Sequence, residues 1–196
     1  MKKMSTKDFD KQVRPILESV SYNKIQGLVK KRLNSLGVLC LSSEEKNINL
    51  WSNYANSHKG ICFQFESVEG NDYFSQATLV EYTPKINTLS IAEDYSDKTL
   101  MDFLKKISRT KYEAYWTHEK EYRIIKDKPA AYKFNPLSLK AIYLGCRFDP
   151  KDDFLNVVKK YKPDCEVVYL QPAKDSYSLV VKFRKNAEDI NSEHFS

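Results

Sequence analysis

A chain of 196 residues suffices for one domain with a proper core and barely for two. Hydrophobic residues at 41% and charged residues at 30% describe a globular chain and exclude a disordered one. The net charge of +6, from 32 basic and 26 acidic side chains, favours a phosphate-bearing partner but falls well short of a nucleic-acid arm.

The opening MKKMSTKDFDK leads into no apolar stretch, so it does not read as a secretory signal, and no later run is long enough to span a bilayer. A cytoplasmic chain without membrane contact is expected. Residues 6–35 are expected to form two helices, because Val13, Ile16, Leu17 and Val20 recur at helical spacing, as do Ile25, Leu28, Val29 and Leu33. Gly37 stops the second helix before Val38-Leu39-Cys40-Leu41, a short buried strand. Asn49 is the expected cap of a helix over residues 50–57 that ends at His58-Lys59-Gly60. Ile61, Phe63 and Phe65 then alternate with Cys62, Gln64 and Glu66, the pattern of a half-buried strand.

Residues 77–82 alternate again and end at Thr83-Pro84. Leu100, Phe103, Leu104 and Ile107 predict a helix from residue 96 to about 115. Residues 119–126 read as a strand, with Glu119, Glu121 and Arg123 on one face and Tyr122 and Ile124 on the other. A short strand over residues 141–144 closes at Gly145, and a helix over residues 151–160 starts from Pro150 and Asp152-Asp153. Residues 167–170 and 178–183 read as a final antiparallel pair. Strands separated by helices of uneven length predict a single α+β domain with a mixed, mainly antiparallel sheet. The expected organisation is an N-terminal helical segment over residues 1–37, the α+β domain over residues 38–185 and a flexible tail over residues 186–196. Cys40, Cys62, Cys146 and Cys165 are far apart and form no Cys-x-x-Cys pair, so free thiols are expected and a metal site is not.

Two groups of residues carry chemistry. The first is Ser42, Ser43, Trp51, Tyr54, His58 and Lys59. On one helix Trp51, Tyr54 and His58 would share a face, making a surface on which a flat ring stacks. The serine hydroxyls at the strand end suit ribose or phosphate oxygens. Taken singly, Trp51 and Tyr54 read as core residues and His58 as a helix-end histidine; as a set they read as a site. The second group is Glu119-x-Glu121-x-Arg123. Three charges on one face of a strand require water, a ligand pocket or a ladder of ion pairs. Two carboxylates at this spacing divide labour between orienting a hydroxyl and acting as base or stabilising a cation. No Gly-x-Gly-x-x-Gly, P-loop or His-Glu-x-x-His motif supports dinucleotide-fold redox, P-loop phosphoryl transfer or metallohydrolysis.

At these motifs the chain resembles a bacterial and phage-associated family, the domain of unknown function 2971. The resemblance rests on Ser42 or Ser43, then Trp51, Tyr54, Ala55, His58 and Gly60, then Trp116, Glu119, Glu121, Tyr122 and Arg123, with Leu144-Gly145 after them. It spans about residues 38–147. Members of that family begin with a strand bearing Tyr-Arg or Tyr-Lys and an Asn-Asp-Pro-Phe-Glu-like loop, neither of which occurs here. That difference leaves three readings open: a shortened member of the family, a truncated chain, or half of a site completed by a protein partner or a second copy of the chain. The motif order is similar to that of ADP-ribosyltransferases, which implies a related fold, NAD as substrate and transfer of ADP-ribose to a nucleic acid or protein, in defence against phage. It further implies Glu121 as the catalytic carboxylate, Glu119 as the acceptor-activating one, Ser42 or Ser43 orienting NAD, and Tyr54 or Trp51 stacking on nicotinamide. The alternatives are a non-catalytic module that binds a nucleotide or nucleic acid, and a partner subunit.

Overall fold

The computed structural model describes residue 11 and residues 14–68, 73–85, 97–151 and 153–195. The apolar positions expected to build two N-terminal helices fall, from Ile16 onward, on one continuous helix, α1 (Arg14–Leu33). The start of the expected first helix lies outside the described residues. After α1 come β1 (Gly37–Ser42), α2 (Ile48–Tyr54), β2 (Ile61–Phe65), β3 (Thr78–Leu79) and β4 (Glu81–Thr83). Then follow α3 (Asp97–Ile107), β5 (Thr110–Tyr112), α4 (Glu113–Trp116), β6 (Glu121–Lys126) and β7 (Leu139–Leu144). The last elements are α5 (Phe154–Tyr161), β8 (Glu166–Pro172) and β9 (Leu179–Asn186).

The strands form an α+β arrangement in three sheets, with orders β1-β6-β3, β2-β7-β8-β9 and β4-β5. Most pairings are antiparallel; β7–β8 and β4–β5 are parallel. β7 and β8 are buried on both faces, which explains their continuous apolar runs. On one face Ile142, Leu144, Val167 and Tyr169 pack with Leu155 and Val158 of α5. On the other, Ala141, Tyr143, Val168 and Leu170 pack with Trp51 of α2. No helix among the described residues is long and apolar enough to cross a membrane.

Several expected elements are corrected. β1 is not buried: it edges its sheet, and Val38 and Leu39 are 46% and 37% exposed. The helix expected to run to residue 57 stops at Tyr54, and its cap is Asn47, whose side chain accepts from the backbone N–H groups of Asn49 and Leu50. The helix expected to reach residue 115 ends at Ile107, and Thr110-Lys111-Tyr112 pairs with β4 as a strand. β-Branched and aromatic residues favour that extended pairing over a further helical turn. The helix expected from residue 151 is α5, with Asp152 of its expected cap outside the described residues. The flexible tail is corrected as well. Beyond β9 the chain makes two 3-10 turns and buries Ala187 and Ile190 in the core, with Phe195 packed against it.

Candidate functional site

The two motifs meet at the start of β6. In the β1–β6 register Ser42 stands opposite Glu121 and Cys40 opposite Arg123, which puts all four on one face. Glu119 is not on the strand, as expected, but ends a 3-10 turn just before it, with Lys120 in the left-handed region at φ 43°. The expected period-two face therefore holds for Glu121 and Arg123 and is replaced by a turn at Glu119. Both carboxylates still reach one ammonium: Lys111 pairs with Glu119 Oε2, and its Nζ lies 2.8 Å from Glu121 Oε2. Tyr54, in the last turn of α2, donates its hydroxyl to Glu119 Oε1 at 2.8 Å and so joins the first motif to the second.

Glu121 is fully engaged. Arg123 grips it as a fork, with Nε 2.7 Å from Oε1 and Nη2 3.0 Å from Oε2, while Nη1 donates to the carbonyl of Ser108 at 2.6 Å. The Glu121 backbone N–H donates to the Tyr82 hydroxyl at 2.9 Å. The side chains of Glu119 and Glu121 are 5% and 6% exposed, and those of Lys111 and Arg123 are 18% and 15% exposed. This is a nearly dry ion-pair network in which each charge has a partner. Trp116 closes one side, its ring centroid 4.6 Å from Lys111 Nζ, a cation–π contact. Tyr54 and Trp116 themselves remain exposed, so the network meets solvent across two aromatic side chains.

The electrostatics follow from the contacts. Burial pushes the Glu121 carboxyl up, but hydrogen bonds from Arg123, Cys40 and Lys111 outweigh it and hold the pKa at about 2. Lys111 is opposed by burial and raised overall by Glu119 and Glu121. The Tyr54 hydroxyl is raised by its bond to Glu119 and, less, by burial. Burial and the neighbouring Glu121 carboxylate push the Cys40 thiol up to about 11.

The other expected residues take structural positions. The Ser42 hydroxyl donates to the Glu119 carbonyl at 2.6 Å and accepts from the Glu44 N–H at 3.0 Å, fixing the turn that carries Glu119. Ser43 is exposed, and its N–H reaches the Lys120 carbonyl at 3.4 Å. Trp51 is 3% exposed in the core, its indole N–H donating to the Glu45 carbonyl at 2.8 Å, so it offers no stacking face. His58 does not share a helix face with Trp51 and Tyr54. Asn56, Ser57 and His58 are successive left-handed residues, with φ of 46°, 52° and 69°, that turn the chain sharply into β2. Their turn clasps the end of β7: Arg147 N–H donates to the His58 carbonyl and Gly145 N–H to the Gly60 carbonyl, each at 3.0 Å. A Cβ on Gly145 would stand 2.1 Å from the His58 oxygen, so only glycine fits. Among the described residues, no side-chain bond links His58 or Lys59 to the carboxylate cluster. The residues missed from sequence are Lys111, Tyr82 and Trp116 in its cation–π role. Lys111 and Tyr82 stand opposite each other in β4–β5, and the β-prone run Thr110-Lys111-Tyr112 was the available signal.

A family described as protein of unknown function, DUF2971, has a model that matches residues 50–124. Over those residues the chain is similar to that family. The match takes in Tyr54, Lys111, Trp116, Glu119, Glu121 and Arg123, hence the whole ion-pair network. No curated protein and no solved structure matches the chain. Among the described residues no group of His, Cys, Asp and Glu could hold a metal ion.

Proposed function

We propose that the network of Tyr54, Lys111, Glu119, Glu121 and Arg123 is a nucleotide site that takes the ribose and nicotinamide end of NAD and serves ADP-ribosyl transfer to a nucleic acid or protein. The observation that carries the reading is the pair of dry carboxylates joined by one lysine beneath two exposed aromatic rings. The donor set suits such a ligand. Carboxylate oxygens and the Tyr54 hydroxyl match ribose hydroxyls, and the faces of Trp116 and Tyr54 match a flat ring. Bound NAD would supply an ADP-ribosyl group whose bond to nicotinamide breaks as positive charge grows on the ribose.

The chain's own residues contribute charge and position. Glu121, ionised at any physiological pH, presents a fixed negative charge whose orientation Arg123 sets. Glu119, linked to Tyr54 and Lys111, is the carboxylate nearer solvent-exposed groups and is placed to accept a proton from an attacking hydroxyl. Ser42 holds the Glu119 backbone instead of touching ligand. A role in phage defence would direct the transfer at a component of the invader.

A second reading, a module that binds a nucleotide without chemistry, is favoured by one specific observation. Every oxygen of Glu119 and Glu121 already has a partner, so the resting network has no free base. Incubation with NAD and nucleic-acid or protein acceptors separates the two. Nicotinamide release that falls at least 100-fold in Glu119→Gln, with NAD affinity changed less than tenfold, supports transfer. Binding of NAD without release, equal in both proteins, supports the module. Absence of NAD binding refutes both.

A further inference from the structure

We propose that a row of aromatic rings, running from the loop after β6 to β2, binds a single strand of nucleic acid, with bases stacked on Tyr132, Phe134 and Phe63 and phosphates held by Lys126, Lys128 and Lys133. The row is unbroken. Tyr132 stacks on Tyr73 with centroids 5.8 Å apart, and Tyr73 meets Phe74 edge-on at 5.4 Å. Phe134 stands edge-on to Phe74 at 5.6 Å and to Phe65 at 5.3 Å. Phe65 in turn meets Phe63, on the same face of β2, at 6.2 Å. Phe74 is buried and roots the row, whereas Tyr132, Phe134 and Phe63 are exposed. Exposed rings joined in one patch mark a binding surface, as rings scattered singly do not.

The loop that carries two of these rings is exposed and yet pinned. Every residue from 127 to 134 is exposed. The Tyr132 hydroxyl nevertheless donates to the Lys128 carbonyl at 2.7 Å, and Phe134 packs on two rings beneath it. The fold therefore fixes Tyr132 and Phe134 at the surface. At the base of the loop Lys126 stands over both tyrosines, its Nζ 5.2 Å from the Tyr73 centroid and 5.5 Å from that of Tyr132. The same ammonium donates to Gln76 Oε1.

Charge decides the occupant. Lys126, Lys128 and Lys133 pair with no acidic side chain among the described residues, whereas Glu66 and Asp127 beside the row are taken by Lys140 at 3.1 Å and Lys105 at 3.0 Å. The Gly37 backbone lies so close to the loop that a Cβ there would stand 2.6 Å from the Lys128 oxygen. Shortly before Gly37 comes the last turn of α1, with Lys30, Lys31 and Arg32, which adds positive charge to this end of the sheet. A protein partner would have to strip water from these lysines, a residue that protein interfaces avoid. An anionic strand instead brings a phosphate with every base, and so answers rings and lysines together. Bases in a duplex already stack on one another, and only unpaired bases offer their faces to the rings. The row shares no side chain with the carboxylate network and lies beyond the other end of β6, so it stands whether or not that network takes NAD.

Fluorescence anisotropy of a labelled oligothymidylate strand, titrated with the full chain over a series of salt concentrations, tests the assignment. Tyr132→Ala is expected to weaken binding at least tenfold. Tyr132→Phe, which keeps the ring and loses only the bond to Lys128, should stay within about threefold of wild type. The double variant Lys128→Gln with Lys133→Gln should lower the slope of log affinity against log salt by about 1.4. Tyr177→Ala removes an exposed ring in the β8–β9 turn, at the opposite edge of the four-stranded sheet from β2, and should bind as wild type. Wild-type affinity in a folded Tyr132→Ala, or an unchanged salt slope in the lysine variant, overturns the proposal. So does a duplex that binds as tightly as the strand, or a strand that does not bind. No arm contains NAD, so failure here is distinct from failure of the carboxylate site.

Discussion

Replacing Glu121 by glutamine removes one charge from a network that has almost no water to compensate it. The Glu121 carboxylate accepts two bonds from Arg123, at 2.7 and 3.0 Å, and pairs with Lys111 at 2.8 Å. Breaking a buried pair by deleting one partner costs about 3–5 kcal/mol, because the remaining charge stays buried. A second route gives a similar figure. The Glu121 pKa falls from an ordinary 4.5 to about 2 in the folded chain. At about 1.4 kcal/mol per pH unit, that gap corresponds to about 3 kcal/mol of stability. A depressed folded pKa means that the unfolded chain takes up the proton first as the solution is acidified. The contribution is therefore complete above about pH 5 and lost as pH falls towards 2. Urea denaturation at pH 7 should show a lower midpoint with an unchanged slope, and the melting temperature should drop on the order of 10 °C. Between pH 5 and 2 the variant should lose stability less steeply than the wild type, since glutamine does not titrate there. A loss below about 1 kcal/mol at pH 7, or parallel acid profiles, would falsify the dry-network reading and make the cluster a solvated surface ladder.

Gly145→Ala should destabilise the chain by more than about 2 kcal/mol, because the clash is with the backbone oxygen of His58 and not with a movable side chain; chemical denaturation reads it directly. Ile190→Ala should cost about 2–4 kcal/mol by the same assay if residues beyond β9 belong to the core, and almost nothing if they form a loose tail. Tyr54→Phe should cost about 1 kcal/mol or less, since Tyr54 is largely exposed and Glu119 keeps Lys111 as a partner. The same variant should weaken NAD binding if the phenol belongs to the site, a shift that titration of wild type against variant would measure.

How much of this was legible in the sequence differs between elements for physical reasons. β7, β8 and β9 were readable because continuous apolar runs and alternation leave little choice of packing. The contact between the two motifs was posed by residue type but not by position. Tyr54 belongs to the network as expected, whereas a helix to residue 57 would place Trp51 and His58 on its face and the actual helix stops at Tyr54. Three left-handed residues in a row have no pattern in apolar spacing, and Ser57 and His58 are not residues that announce such a turn. Lys111 was hidden for a related reason. A helix that ends at Ile107 and a three-residue strand that follows it share a stretch too short for either period to dominate. Glu119 and Glu121 were expected to converge through strand alternation. They converge instead through the left-handed turn at Lys120, so the right contact came from the wrong geometry.

The seven residues of α2 explain why the motif around Trp51 mixes structural and site residues. A helix this short is unstable alone, so its place is set by what it touches. At its start Asn47 accepts from the first N–H groups and donates to the His118 carbonyl at 2.8 Å, which ties the cap to the turn bearing Glu119. In its middle Trp51 enters the core beside Tyr143 and Leu170 of the four-stranded sheet. At its end Tyr54 reaches Glu119, and the left-handed turn beyond it is clasped to the end of β7. The helix is thus anchored to one sheet by Trp51 and the clasp, and it delivers a hydroxyl to a network at the edge of another. Trp51, His58 and Gly60 act on the candidate site through the position of Tyr54, even though none of them touches a carboxylate. A motif selected by this arrangement would keep aromatic, histidine and glycine positions together for mechanical reasons, while the proposed chemistry would rest on Tyr54, Lys111 and the two glutamates.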